Sequence, residues 1–270
     1  MFEVVSSASA APHKWQSFMD DENYLIPSKL FDWFYGLVAR ALKSLNLREV
    51  TLQRAGPSAN LIINKPGVRE MSVDLAPTIQ MLGVPPGIHF PDSWPDREKM
   101  KSIPGVMRSN SLWQLCTKEH MGAVFSGNRR WWRISTSPLE KYVLDTIDRD
   151  GGGDSSGGGC RKQILRLLKL LREVEGSNWL GIKSYHLKHL VMSESCRHVD
   201  WSVGKIDVCF VGCLRTLENS LQEQNLRNVF FPKMNMFSEL SVTNNLAFRV
   251  KRIAKNIERD PNEAKKYFEN

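Results

Sequence analysis

Three stretches of the chain carry side chains suited to holding phosphates and bases. Trp132-Arg133-Ile134-Ser135-Thr136-Ser137-Pro138-Leu139-Glu140 offers a guanidinium and three hydroxyls within five residues, a set that matches phosphate oxygens. Lys169 lies in a second stretch, a segment rich in Lys and Arg with helical spacing. The third is Ser184-Tyr185-His186-Leu187-Lys188, where an aromatic face can stack on a base while a hydroxyl and an ammonium meet phosphate oxygens. Each also has a plainer role. Arg133 fits a surface ion pair, Tyr185 a core-edge ring, and Lys169 and Lys188 solvated helix charges, and for any one of them alone the plainer role is the commoner. Asp74 is the sharper signal. Strand alternation puts Met71, Val73 and Leu75 on one face and Ser72, Asp74 and Ala76 on the other. A carboxylate in the middle of a β segment must then face a cleft, a cationic partner or a metal ion, because burying it unpaired is costly.

The elements that position these residues can be read in order. Met1–Val5 reads as the tail of a strand, so the chain is expected to open inside a sheet. Ser28 is expected to cap a buried helix over Ser28–Asn46, with Leu30, Phe31, Phe34, Leu37, Val38, Ala41, Leu42 and Leu45 on one stripe. Glu49–Arg54, Ser58–Asn64 and Val68–Thr78 read as three strands, with turn chemistry at Gly56-Pro57 and Lys65-Pro66-Gly67 between them. The proline-rich stretch Met81–Pro104 reads as an ordered crossing loop at a boundary, dividing the chain into 1–104 and a helical lobe, 105–270. Within that lobe Asp150–Gly159, with six glycines, reads as a flexible loop. Helices are predicted over Cys160–Glu173, with Ile164, Leu165, Leu167, Leu168 and Leu171 inward, and over Ser184–Met192, Asp207–Gln222 and Leu246–Arg259.

Composition narrows the classes. At 270 residues, 41% hydrophobic and 24% charged, the chain can bury a core as one large domain or two lobes. No apolar run approaches the roughly 18 residues of a membrane span, which predicts a cytoplasmic or nuclear protein. The five cysteines are scattered and include no CxxC, which argues against a disulfide framework and against zinc. His186 and His189 share a helix face without a third ligand at metal spacing and read as ordinary helix residues. There is no P-loop, no GxGxxG and no nameable Ser/His/Asp triad. A net charge of +8 permits a polyanionic partner without requiring one.

Six stretches, taken in order, resemble the Mab-21-like nucleotidyltransferase family that includes the cyclic GMP-AMP synthases. They are Gly56–Gln80 with its Ser72-Val73-Asp74 strand, Trp132–Lys141, the Cys160-Arg161-Lys162 helix, Ser184–Lys188, Trp201, and Val229-Phe230-Phe231-Pro232-Lys233-Met234-Asn235-Met236-Phe237. No one of them is decisive, but six in order are specific. The resemblance implies an α+β fold, a partial nucleotidyltransferase mixed β-sheet core with a mostly helical C-terminal lobe and a nucleotide cleft between them. It implies a reaction joining ATP and GTP into a cyclic dinucleotide, with two Mg²⁺ ions, or Mn²⁺ in their place, held by three carboxylates. Asp74 would be the third of these. Arg133, Ser135 and Ser137 would meet the acceptor, nominally GTP; Glu140, Lys169, Ser184 and Lys188 would surround the donor ATP, and Tyr185 would stack on a base.

Two departures qualify this expectation. The family's first two metal-binding acids precede a segment resembling Met1-Phe2-Glu3-Val4 and are not in this sequence, so the chain is expected to be inactive alone. Of the zinc-binding loop that precedes the family's Cys-Arg-Lys helix, only Cys160 has a counterpart, so zinc is not expected. Double-stranded RNA or DNA remains a candidate partner through two basic segments. These are Arg161–Lys188, with seven basic and two acidic residues, and Arg249–Lys266, with seven and three. The competing expectation is a catalytically inactive Mab-21-like scaffold that binds nucleotides or proteins.

Overall fold

The structure is a computed structural model and describes residues 13–56, 58–92, 94, 97–117, 130–149, 159–179, 181–197, 200–238, 240 and 244–268. The strand tail expected at Met1–Val5 and nearly all of the glycine loop expected at Asp150–Gly159 lie outside them. The chain forms two compact units, one of Met1–Leu82 with Asn110–Pro138 and one of Gly83–Ser109 with Leu139–Asn270.

The first unit opens with helix α1 (Pro27–Leu45). Ser28 does not cap it. Ile26, in an extended conformation, occupies the cap without a side-chain hydrogen bond, and Pro27 takes the first helical position, where its fixed φ and missing N–H cost nothing. Asn46 ends the helix in the left-handed region, with φ 50°. The stripe expected to be buried is covered only at its start: Pro27, Leu30 and Phe31 are buried, whereas Leu37 and Leu45 are exposed.

Those strands are β1 (Val50–Ala55), β2 (Ser58–Ile63) and β3 (Met71–Leu75), an antiparallel meander in which Asn60 stands opposite Asp74. Alternation places Leu52, Leu61 and Val73 on one face and Gln53, Asn60 and Asp74 on the other. The single strand expected over Val68–Thr78 is two strands in different sheets. Pro77, without an N–H to donate, interrupts the ladder, and β4 (Thr78–Met81) pairs instead with β5 (Trp113–Cys116), which pairs with β6 (Arg133–Ser135). Trp132 is fully buried and its indole donates to the Leu25 carbonyl at 3.0 Å. Arg130 fixes the preceding turn, pairing with Asp20 at 2.6 Å and Glu22 at 2.9 Å with its guanidinium over the Tyr24 ring.

The second unit is helical. Its α2 (Arg97–Ser109) begins inside the stretch expected to be a loop, Met81–Pro104, and runs past its end, with Ile103 and Met107 fully buried and Pro104 inside the helix. After it come α3 (Ser137–Arg149), α4 (Arg161–Glu175), α5 (Ser184–Ser195), α6 (Ile206–Gln222) and α7 (Asn244–Arg259). The inward stripe of α4 is as expected at Ile164, Leu165, Leu168 and Leu171, whereas Leu167 is only half-buried, and the stripe begins one turn earlier, at Arg161. The α+β class therefore stands, with a helical lobe and, among the described residues, two small antiparallel sheets. No helix among these residues is long and apolar enough to cross a membrane.

Candidate nucleotide-binding site

The predicted site residues fall into two groups, one in each unit. In the second, α4 packs against α5, and the Arg172 guanidinium donates to Ser184 Oγ at 3.1 Å, joining the last turn of one helix to the first residue of the other. Lys169 lies one turn before Arg172 on the same side of α4, half-buried, and makes no ion pair among the described residues. One turn along α5 from Ser184, the Lys188 ammonium meets the Glu140 carboxylate at 2.7 Å. Lys169, Arg172, Ser184 and Lys188 thus place three cations and a hydroxyl along two packed helices. Tyr185, 36% exposed, sets its ring edge-to-face on His186 with centroids 4.1 Å apart.

Glu140 is the most strongly perturbed acid of the group. It sits buried in the first turn of α3, where the helix dipole favours negative charge. Burial alone would raise its pKa, but the His189 imidazole at 3.3 Å and the Lys188 ammonium outweigh it and hold the carboxyl down at about 2. Glu140 is therefore ionised at any physiological pH. His189 Nδ1 accepts from the Val229 N–H at 3.3 Å, which leaves the proton on Nε2, facing Glu140. His186 accepts from the Lys183 N–H at 3.0 Å through Nδ1 and donates from Nε2 to the Met236 carbonyl at 3.1 Å, while burial pushes its pKa down to about 4. The two histidines are load paths between α5 and the Val229–Phe237 segment. That segment folds on two asparagines: Asn228 Oδ1 accepts from the Phe230 and Phe231 N–H groups, and Asn235 Oδ1 from those of Leu226 and Phe237.

The Cys-Arg-Lys stretch and Trp201 form one structural knot. Asp148 caps α4 from the end of α3, accepting from the Arg161 N–H at 3.1 Å and the Lys162 N–H at 2.9 Å. The Arg161 side chain is buried. It donates to Ser195 Oγ at 3.0 Å and to the Ile147 carbonyl at 3.1 Å, with its guanidinium over Trp201. Cys160 closes the knot through its N–H to the Trp201 carbonyl at 2.8 Å. Arg161 is consequently withdrawn from the basic segment expected to meet nucleic acid, and Lys162 is paired with Asp145 at 2.5 Å.

In the first unit, Asp74 is exposed on the polar face of its sheet. Asn60 donates to its Oδ1 at 2.7 Å and Ser58 Oγ lies at 3.4 Å, so neutral donors rather than a cation orient it. Among the described residues Asp74 makes no ion pair, and it is not buried. Arg133 and Ser135 are on β6, Arg133 exposed, and Ser137 opens α3, where Ser135 Oγ accepts its N–H at 3.4 Å. Hydroxyls at the start of a helix of 13 residues suit an anion. The sequence reading missed Arg172, Asn60 and His189. The first stands one turn from Lys169; the second is legible only once the β2–β3 register is known; the third was set aside for lack of metal spacing. Asp74 offers one hard oxygen ligand to a divalent ion, but among the described residues no three of His, Cys, Asp and Glu gather to hold a metal.

Comparison with known proteins bears on both units. Residues 5–146 match the family model described as the Mab-21 protein nucleotidyltransferase domain, and residues 160–255 match the Mab-21 protein HhH/H2TH-like domain. The chain is 27% identical to cyclic GMP-AMP synthase-like receptor 3 of Stylophora pistillata over 88% of this chain and 65% of the relative. It is 28% identical to a cyclic GMP-AMP synthase-like receptor of Microplitis demolitor over 95% and 46%. With cyclic GMP-AMP synthase of Mus musculus it shares 24% identity over 80% and 44%. The chain thus spans between 44% and 65% of these relatives' lengths. A family model covering more than half of the sequence, followed in order by the family's second domain, assigns the fold and the ancestry together: the chain belongs to the Mab-21 nucleotidyltransferase family, alongside the cyclic GMP-AMP synthases and their receptor-like relatives.

Proposed function

We propose that this protein is a nucleotidyltransferase of the cyclic GMP-AMP synthase-like class, joining ATP and GTP into a cyclic dinucleotide in innate immune sensing of nucleic acid in the cytoplasm or nucleus. The observation that carries the reading is the Lys169, Arg172, Ser184 and Lys188 group along α4 and α5, a set of donors matched to a triphosphate. Lys169 and Arg172 neutralise donor phosphate charge, Ser184 gives a directed hydrogen bond, and Tyr185 presents a ring face to a base. Glu140 holds Lys188 in place. Arg133, Ser135 and Ser137 receive the acceptor, and Asp74, oriented by Asn60, is one ligand to Mg²⁺ or Mn²⁺. When bound, such an ion would supply Lewis-acid activation to an attacking hydroxyl and charge neutralisation to a leaving pyrophosphate. Asp74 would give it one carboxylate ligand.

The second reading is a nucleotide-binding or protein-interaction scaffold without catalysis. What favours it is that Glu140 and Lys188 already satisfy one another and that Asp74 is held by neutral donors. Incubating the 270-residue chain with ATP, GTP and Mg²⁺ or Mn²⁺, with and without double-stranded RNA or DNA, separates the two by mass spectrometry of the products. A cyclic dinucleotide that disappears in Asp74→Asn establishes the enzyme and overturns the expectation that the chain is inactive without the family's first two acids. Retained ATP binding without product in any condition is the outcome expected of the scaffold.

A further inference from the structure

The outer crest of α7 is sorted by charge in a way that packing does not require. The inward face of this helix, Leu246, Ala247, Val250, Ile253, Ala254 and Ile257, is buried. Both flanks are tied down by ion pairs. On one side Arg249 pairs with Glu175 of α4; on the other Lys251 meets Glu218 of α6 at 3.4 Å, and Glu258 pairs with Arg215 of α6. The only acid of α7 is therefore spent at a flank. What remains on the crest is Phe248, Arg252, Lys255 and Arg259, spaced by four, three and four residues, which keeps them within a narrow stripe of a 3.6-residue helix. All four are exposed, Phe248 to 67%, and the three cations make no ion pair among the described residues. Asp260, next along the chain, turns its carboxylate back to the Asn262 N–H at 3.0 Å.

We infer that this crest binds single-stranded nucleic acid. Arg252, Lys255 and Arg259 step along the axis by about 4.5 and 6 Å, and their long side chains can follow the successive phosphates of one strand. A polyanion alone would explain the cations but not an exposed phenylalanine in line with them. A ring at the end of a cationic stripe offers a stacking platform for an unpaired base, a face that a duplex keeps closed. The partner is accordingly a strand with accessible bases, such as an overhang or a loop. This inference is separate from the nucleotide-binding reading, because none of the four residues belongs to the group around Lys169.

The test is fluorescence anisotropy of the full chain with a labelled oligothymidylate of about 12 nucleotides, beside a blunt duplex and phosphatidylserine vesicles. The single strand is expected to bind best. The triple variant Arg252→Gln, Lys255→Gln, Arg259→Gln should weaken it at least tenfold and reduce the slope of log K against log salt by about 2, three contacts at roughly 0.7 each. Phe248→Ala should weaken the single strand about tenfold and leave duplex binding unchanged. All four side chains are exposed, so circular dichroism of the variants should match the parent, and ATP binding should be unaltered. An oligothymidylate affinity insensitive to the triple variant overturns the inference. So does a Phe248 effect seen only with vesicles, which would make the crest a membrane contact, or a preference for duplex with no Phe248 effect.

Discussion

Glu140→Ala is expected to destabilise the second unit by about 3 kcal/mol, which in a domain of this size lowers its thermal midpoint by roughly 10 °C. The substitution leaves the Lys188 ammonium and the His189 imidazole without the buried carboxylate that now faces both. The magnitude follows from the carboxyl's displacement from 4.5 to about 2, at about 1.36 kcal/mol per pH unit. A depressed carboxyl stabilises the fold fully above its unfolded value and loses that stabilisation as the pH falls through its folded value. The contribution should therefore be complete above about pH 4.5 and decline towards pH 2. Chemical denaturation as a function of pH checks this. The parent should lose stability across that window relative to Glu140→Gln, and parallel curves for the two would show that the ion pair contributes nothing.

Arg161→Met should be about as costly, near 3 kcal/mol, because it removes a buried guanidinium from Ser195, the Ile147 carbonyl, Asp148 at 3.6 Å and the face of Trp201. Burial pushes the Asp148 carboxyl above its ordinary value and the Arg161 guanidinium below its own. Desolvation thus outweighs the attraction within the pair. Adding Asp148→Asn to Arg161→Met should accordingly recover at least about 1 kcal/mol, since the charge left behind is what costs most. Urea denaturation of the two single variants and the double variant reads the coupling directly. A loss below about 0.5 kcal/mol for Arg161→Met would place that side chain in solvent.

Local patterns were legible where neighbours along the chain decide the outcome. The α4 stripe, the β1–β2 turn at Gly56 and the placement of Asp74 on the sheet face opposite that of Val73 all follow from spacing and alternation. What escaped depended on partners far along the chain. Pro77 splits a strand because β5, more than thirty residues later, is there to pair with β4. Arg161 reads as one more surface cation until Asp148 and Trp201 are found around it. Helix α2 was hidden by prolines, only one of which, Pro104, lies inside it. Phosphate-competent side chains were recognisable by type, whereas the hydrogen bonds that orient them were not: Asn60 to Asp74 needs the strand register, and Arg172 to Ser184 needs the packing of α4 on α5.

Titration calorimetry of ATP into the 270-residue chain, beside Lys169→Ala and Asp74→Asn, tests the nucleotide-binding group most directly. Binding that falls about tenfold or more in Lys169→Ala, with the variant's fold intact, is the predicted result, one lost charge-assisted contact being worth about that much. Asp74→Asn should weaken binding only when Mg²⁺ is present. Equal affinity in Lys169→Ala, or no binding by a folded parent chain, would contradict the assignment of a triphosphate site to α4 and α5.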